Sequence, residues 1–215
     1  MTDVAAARQN MVDGQVRTAD VTDLRIISAM LEIARERFVP PASAGLAYLD
    51  LDLPLGGGRG LLKPMVLAKL IQAADIDPAD HVLDAACATG YGAAVLSQVG
   101  GSVVALEEDK KLAAFASSAL AGLANVTPAS GPNAAGWEGA GPYDVILLEG
   151  ATEIVPQTLC RQLKDGGRLL CVLGAGPGAK AMVYRRSGDD FGGRPLFDAA
   201  APLLPGFAKQ PVFAF

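Results

Sequence analysis

Three carboxylates, Asp84, Glu107 and Glu149, stand at or just past the ends of the short apolar runs Val82–Ala85, Ser102–Leu106 and Val145–Leu148. An acid at the end of a buried strand is suited to holding ribose hydroxyls, and Glu107 follows Asp84 by 23 positions, the interval at which a ribose-binding acid is expected. Between them, Asp84-Ala85-Ala86-Cys87-Ala88-Thr89-Gly90-Tyr91-Gly92 has the layout of a cofactor loop joining a strand to a helix, with small residues Ala86, Ala88 and Gly90 at alternate positions. A nicotinamide dinucleotide loop would carry Gly-x-Gly-x-x-Gly; here Tyr91 takes the last glycine position, which disfavours an oxidoreductase. His81, the only histidine, sits just ahead of a strand and lacks the neighbours of a hydrolase relay. Cys87, Cys160 and Cys171 are widely spaced in apolar sequence, as reduced core thiols are, and fit neither a zinc site nor a disulfide framework.

The elements that must position this loop are legible from periodicity. Apolar residues recur at helical spacing over 21–38, with Asp20 as a possible N-cap, after an earlier helix around 5–16. Leu53-Pro54-Leu55-Gly56-Gly57-Gly58-Arg59-Gly60 reads as a flexible loop before a helix begun by Pro64. From residue 81, buried runs at 82–85, 102–106, 125–127, 145–148 and 168–173 alternate with helices at 91–99, 109–123 and 156–163, and only a short helix or turn fits between Pro128 and Pro142. This alternation predicts an α/β fold with a mostly parallel sheet covered on both faces, closed by an antiparallel pair at 179–184 and 210–213. A single domain over 1–215 is expected: a helical part with the glycine loop over 1–80, a nucleotide-binding core over 81–175, and C-terminal strands over 176–215.

Composition narrows the class. The chain is 51% hydrophobic and 19% charged, yet has no uninterrupted apolar run long enough to span a bilayer. The start, Met1-Thr2-Asp3-Val4, has no basic or apolar leader region, so a cytoplasmic location is expected. A net charge of -5 argues against nonspecific nucleic-acid binding.

The alternate-position spacing of Ala86, Ala88 and Gly90 resembles the Asp/Glu-x-Gly-x-Gly-x-Gly loop of S-adenosylmethionine-dependent methyltransferases. Flanking segments sharpen the likeness. Gln15-Val16-Arg17, Arg37-Phe38-Val39-Pro40, Ala47-Tyr48-Leu49-Asp50, Leu53-Pro54-Leu55-Gly56, Thr89-Gly90-Tyr91 with Ala93-Ala94-Val95-Leu96, Tyr143-Asp144-Val145-Ile146 and Gln162 through Leu169 resemble, in order, the signatures of the protein-L-isoaspartate O-methyltransferase family. The resemblance implies a Rossmann-like class I methyltransferase fold with a seven-stranded sheet. It also implies a protein-repair activity: esterification of an isoaspartyl carboxylate in a protein or peptide, with S-adenosylmethionine as cofactor, followed by collapse to a succinimide. A carboxylate is already a nucleophile and the sulfonium already activated, so such chemistry rests on alignment more than on a catalytic base. The cofactor residues implied are Asp84, Ala86, Ala88, Gly90, Tyr91, Glu107, Pro132, Asn133 and Glu149, with no metal.

Departures cluster in the loops. Where the family reads Gly-Gln-Thr-Ile-Ser-Gln-Pro, this chain reads Gly58-Arg59-Gly60-Leu61-Leu62-Lys63-Pro64, so Gly60 and Leu62 occupy the hydroxyl positions and no catalytic side chain is assigned. Arg59 and Lys63 are the available groups for an acceptor carboxylate, or else belong to a basic solvent-facing loop. Where the family reads Gly-Asp-Gly-x-x-Gly-Trp, the chain has Gly131-Pro132-Asn133-Ala134-Ala135-Gly136-Trp137, and Asn133 is the residue available to replace an adenine contact that Pro132 cannot make. Besides the repair enzyme, two readings stay open: a methyltransferase with another acceptor, and a non-catalytic binding or scaffold protein on the same fold.

Overall fold

The computed structural model describes residues 4–210. Helix α1 (Val4–Met11) continues through a π-helical turn over Val12–Val16, and α2 (Leu24–Glu32) is capped by Asp23, whose side chain accepts from the Arg25 amide at 2.8 Å. The cap is therefore three residues later than the expected Asp20, which instead adopts a left-handed conformation. The helix predicted to run to Phe38 stops at Glu32, because Ile33 and Ala34 are extended before a 3-10 turn at Arg35–Phe38.

The expected glycine loop is a hairpin, β1 (Leu53–Gly56) and β2 (Arg59–Leu61), forming a separate antiparallel pair. Leu53 and Leu61 face each other in register, and both are buried. The three glycines at the turn, with φ of 91, 58 and 74°, allow the tight reversal that other residues resist. Helix α3 (Pro64–Ala74) follows, with Pro64 in its first turn.

The main sheet contains β3 (His81–Ala85), β4 (Ser102–Glu107), β5 (Val126–Ser130), β6 (Tyr143–Thr152), β7 (Leu163–Leu173), β8 (Lys180–Ser187) and β9 (Asp190–Asp198). Its order is β5-β4-β3-β6-β7-β8-β9, parallel through β7 and antiparallel thereafter. Pro128 is tolerated because β5 is an edge strand. The antiparallel partner of β8 is β9, joined through Gly188 at φ 61°, rather than the expected run at 210–213; of that run only Gln210 lies within the described residues, outside any strand.

Alternating side chains feed opposite faces, as the two-residue strand period requires. Val82, Val103, Val145 and Leu170 pack with Met11, Ile26, Leu67 and Ala94 on one face, while Leu83, Val104, Ile146 and Leu169 pack with Leu159, Cys160, Leu204 and Phe207 on the other. Helices α4 (Tyr91–Leu96) and α5 (Lys110–Ala119) contribute to the first layer and the short α6 (Gln157–Cys160) to the second. All three cysteines are free and buried. Among the described residues no helix is long and apolar enough to cross a membrane.

Candidate cofactor cleft

The order of strands reverses between β3 and β6, and a crevice at the carboxyl ends of those strands is the usual ligand site in such sheets. Asp84 comes to it from β3, Glu107 from the end of β4, and Glu149 from β6. Glu149 arrives there through a bulge. Leu147 opposes Leu170 and Ala151 opposes Val172, so three residues of β6 stand against one of β7. A bulge re-aims side chains in this way. All three acids are buried.

Glu107 is fully engaged. Its Oε1 accepts from Arg59 Nε at 3.3 Å and from the amides of Glu108 and Asp109 at 3.0 Å each. Its Oε2 accepts from Arg59 Nη2 at 2.7 Å and from the Ala88 amide at 2.8 Å. The same Nη2 donates to the Ala86 carbonyl at 2.6 Å. Arg59, only 4% exposed, thus ties the hairpin to both the cofactor loop and the β4 acid, instead of lying on a solvent-facing loop.

Asp84 and Glu149 receive no hydrogen bond from any N–H or hydroxyl among the described residues. Burial pushes Asp84 well above the carboxylate range, with the charge of Glu149 adding to it; burial likewise pushes Glu149 up to about 7. Burial thus disfavours the charged form of both, and each carboxyl acts on the other. Gly92 makes room for this pair, since a Cβ there would lie 1.8 Å from Glu149 Oε1.

Tyr91 is fully buried at the start of α4. Its ring meets Phe38 edge to face at 5.5 Å, and the Arg35 guanidinium lies 4.7 Å above it. Arg35 is wholly buried and donates to the carbonyls of Ala47 at 2.8 Å and Leu62 at 2.6 Å. Sequence reading missed Arg35: it lies beyond the end of α2 in a 3-10 turn, and its carbonyl partners are 12 and 27 residues away.

The loop retains a glycine-type backbone. Ala86 and Ala88 have φ of 59 and 52°, and Gly90 has 92°. Left-handed geometry costs an L-residue roughly 1–2 kcal/mol, so the alanines hold it under strain. Gly60 and Leu62, at the hydroxyl positions, are both buried, and a Cβ on Gly60 would stand 3.1 Å from Pro202 Cγ. Lys63 is half-buried and its amide donates to Asp52 at 2.9 Å, with no ion pair among the described residues. Pro132 leads into a 3-10 turn beginning at Asn133, whose amide donates to Glu108 Oε2 at 3.1 Å. The Asn133 carboxamide is fully buried with both its oxygen and its nitrogen unpartnered among the described residues. One buried acceptor and one buried donor side by side complement the amino group and ring nitrogen of an adenine edge. The donor set therefore fits an adenosyl group, with Arg59 standing on one of its members. His81 is structural: its ring nitrogens contact Ser102 Oγ at 2.7 Å and the Ala140 carbonyl at 2.9 Å, and its ring stacks on Tyr143 at 4.8 Å.

Comparison with known proteins gives a consistent result. The family model described as protein-L-isoaspartate(D-aspartate) O-methyltransferase matches residues 6–193. A relative from Rhodopseudomonas palustris named protein-L-isoaspartate O-methyltransferase 1 is 37% identical over 94% of this chain and 85% of its own. One from Methylorubrum populi, named protein-L-isoaspartate O-methyltransferase, is 38% identical over 96% and 98%. A solved protein-L-isoaspartate O-methyltransferase superposes with a TM-score of 0.79 at 27% identity, covering 93% of this chain and 66% of that longer one. A Plasmodium falciparum structure in complex with S-adenosyl-L-homocysteine, 16% identical, shares the fold at a TM-score of 0.75 over 95% of this chain and 99% of its own.

Proposed function

The chain belongs to the protein-L-isoaspartate(D-aspartate) O-methyltransferase family, and from that premise we propose that it methylates the free carboxylate of isoaspartyl residues in damaged proteins, using S-adenosylmethionine. The observation that carries the reading is the convergence of Asp84, Glu107 and Glu149 at the switch point of a sheet whose sequence matches the family from residue 6 to 193.

In this reading Glu107 takes the ribose hydroxyls, Asn133 the adenine edge, and the Asp84–Glu149 pair faces the cationic end of the cofactor. The backbone of Ala86, Ala88 and Gly90 holds the turn under it, and Tyr91 excludes water. When bound, the cofactor supplies a methyl group on a sulfonium, already activated toward an oxygen nucleophile. The protein's part is to bring a carboxylate into line with it, a task in which orientation alone supplies much of the acceleration. With Gly60 and Leu62 lacking hydroxyls, Lys63 at the start of α3 is the group we assign to holding the anionic acceptor. The whole chain acts as one unit in the cytoplasm, on protein substrates and not on nucleic acid.

Incubation with labelled S-adenosylmethionine and an isoaspartyl peptide tests the proposal: base-labile label in that peptide, and none in its aspartyl counterpart, is expected. A second reading, a non-catalytic binding protein, is favoured by the saturation of Glu107 by Arg59 and by the buried, hydroxyl-free Gly60 and Leu62. Cofactor binding without transfer to any acceptor would select it.

A further inference from the structure

We propose that Arg59 is an internal occupant of the ribose subsite, so that the cofactor cleft is closed until the β1–β2 hairpin withdraws its guanidinium from Glu107. This rests on the reading of Glu107 as the ribose acceptor.

A vicinal diol offers two O–H donors to a carboxylate, and the guanidinium fork offers two N–H donors in a similar plane. Arg59 uses that fork, placing Nε on one oxygen of Glu107 and Nη2 on the other. With the amides of Ala88, Glu108 and Asp109 added, the carboxylate accepts five hydrogen bonds, while it has about four lone-pair directions. No acceptor capacity is left for a diol. Removing Arg59 leaves the three amide donors in place, so the acid remains oriented and ready for another pair of donors.

The hairpin is able to make the exchange. It is a two-stranded unit outside the main sheet, anchored at its base by the buried Leu53 and Leu61. Its tip is loosely held: positions Gly56 to Gly58 have no atom closer than 3.9 Å to an added Cβ, and all three glycines have positive φ. Arg59 directly follows that tip. A Cβ on Gly57 would lie 3.9 Å from Oδ2 of Asp109, a half-buried acid whose Oδ1 caps α5 and whose Oδ2 is placed to receive the displaced guanidinium. The closed arrangement also buries Arg59 and Arg35 together with the three acids.

Calorimetric titration of S-adenosylhomocysteine into the full chain and into Arg59→Gln, the residue found in the family loop, tests the proposal. The variant is expected to bind at least about tenfold more tightly, the gain available when an open state below a tenth of the population is released. In the wild type, ligand at saturation is expected to accelerate tryptic cleavage between Arg59 and Gly60, the reverse of ordinary ligand protection. Equal or weaker binding by a folded Arg59→Gln overturns the closure, as does protection of that bond in the wild type, which also decides the matter if the variant does not fold. A variant that gains affinity but methylates no isoaspartyl peptide keeps the closure and removes the repair activity; a wild type that methylates beside a variant with no gain does the opposite.

Discussion

At the scale of single residues the cleft is built on strain and exclusion. Ala86 and Ala88 hold left-handed backbone angles that glycine would adopt freely. Ala88→Gly is expected to stabilise the fold by about 1 kcal/mol, the relief of left-handed strain less the extra entropy of an unfolded glycine, read from a denaturant midpoint. The opposite is expected for Gly92→Ala. Helix propensity favours alanine by roughly 1 kcal/mol, but its Cβ would overlap Glu149 Oε1 at an overpacking cost of about 1–3 kcal/mol, so a net loss of up to about 2 kcal/mol is expected. Glu149 itself sets a pH dependence. Its folded-state pKa is raised to about 7, so between its unfolded value and that point the native state holds a proton that the unfolded chain has released. Stability from this group therefore falls as pH rises through that window. Thermal melts of wild type and Glu149→Gln should show the variant gaining relative to wild type between about pH 5 and about pH 8; a constant difference would contradict the raised Glu149 carboxyl. Such particulars as the Asp84–Glu149 pair were half legible: the sequence places each acid at a strand end, but not the β6 bulge that turns one toward the other.

At the scale of elements, the strands of the parallel sheet were legible because buried runs and intervening helices alternate with clear periods, and their observed limits mostly differ at the ends. The hairpin was not. Leu53 through Leu61 contains too few residues on each side of its glycines to show a strand period, and its pairing with Glu107 links residues 48 apart. A basic residue in a glycine loop reads as solvent-facing, and only the tertiary position of β4 reveals its partner. The hairpin's packing also bears on the missing hydroxyls. Gly60→Thr would restore the family's residue, yet its Cβ would stand 3.1 Å from Pro202 Cγ and 3.3 Å from the Leu53 carbonyl. It is expected to cost about 1–3 kcal/mol by overpacking, measured by thermal or chemical unfolding, unless Pro202 moves aside. Neutral stability in that variant would mean that the C-terminal segment yields readily and that the acceptor side of the cleft is adaptable.

At the scale of the whole molecule, the chain keeps the seven-stranded sheet with its switch point and the acids at its strand ends, while its sequence differs from the motifs it resembles in the loops over 58–64, 84–92 and 131–137. Fold and family were readable because they depend on many dispersed positions, each a weak signal that adds to the rest. The state of the site depends on a few long-range contacts, Arg59 with Glu107 and Arg35 with Tyr91, which no local pattern encodes. Lys63→Ala is expected to raise KM for an isoaspartyl peptide several-fold with a smaller change in kcat, as removal of a binding contact to the acceptor should. The most direct test of the account remains methyl transfer by the intact chain. With labelled S-adenosylmethionine, base-labile radioactivity should appear in an isoaspartyl peptide, and at limiting cofactor faster for Arg59→Gln than for wild type; radioactivity in neither, from proteins that bind S-adenosylhomocysteine, would contradict it.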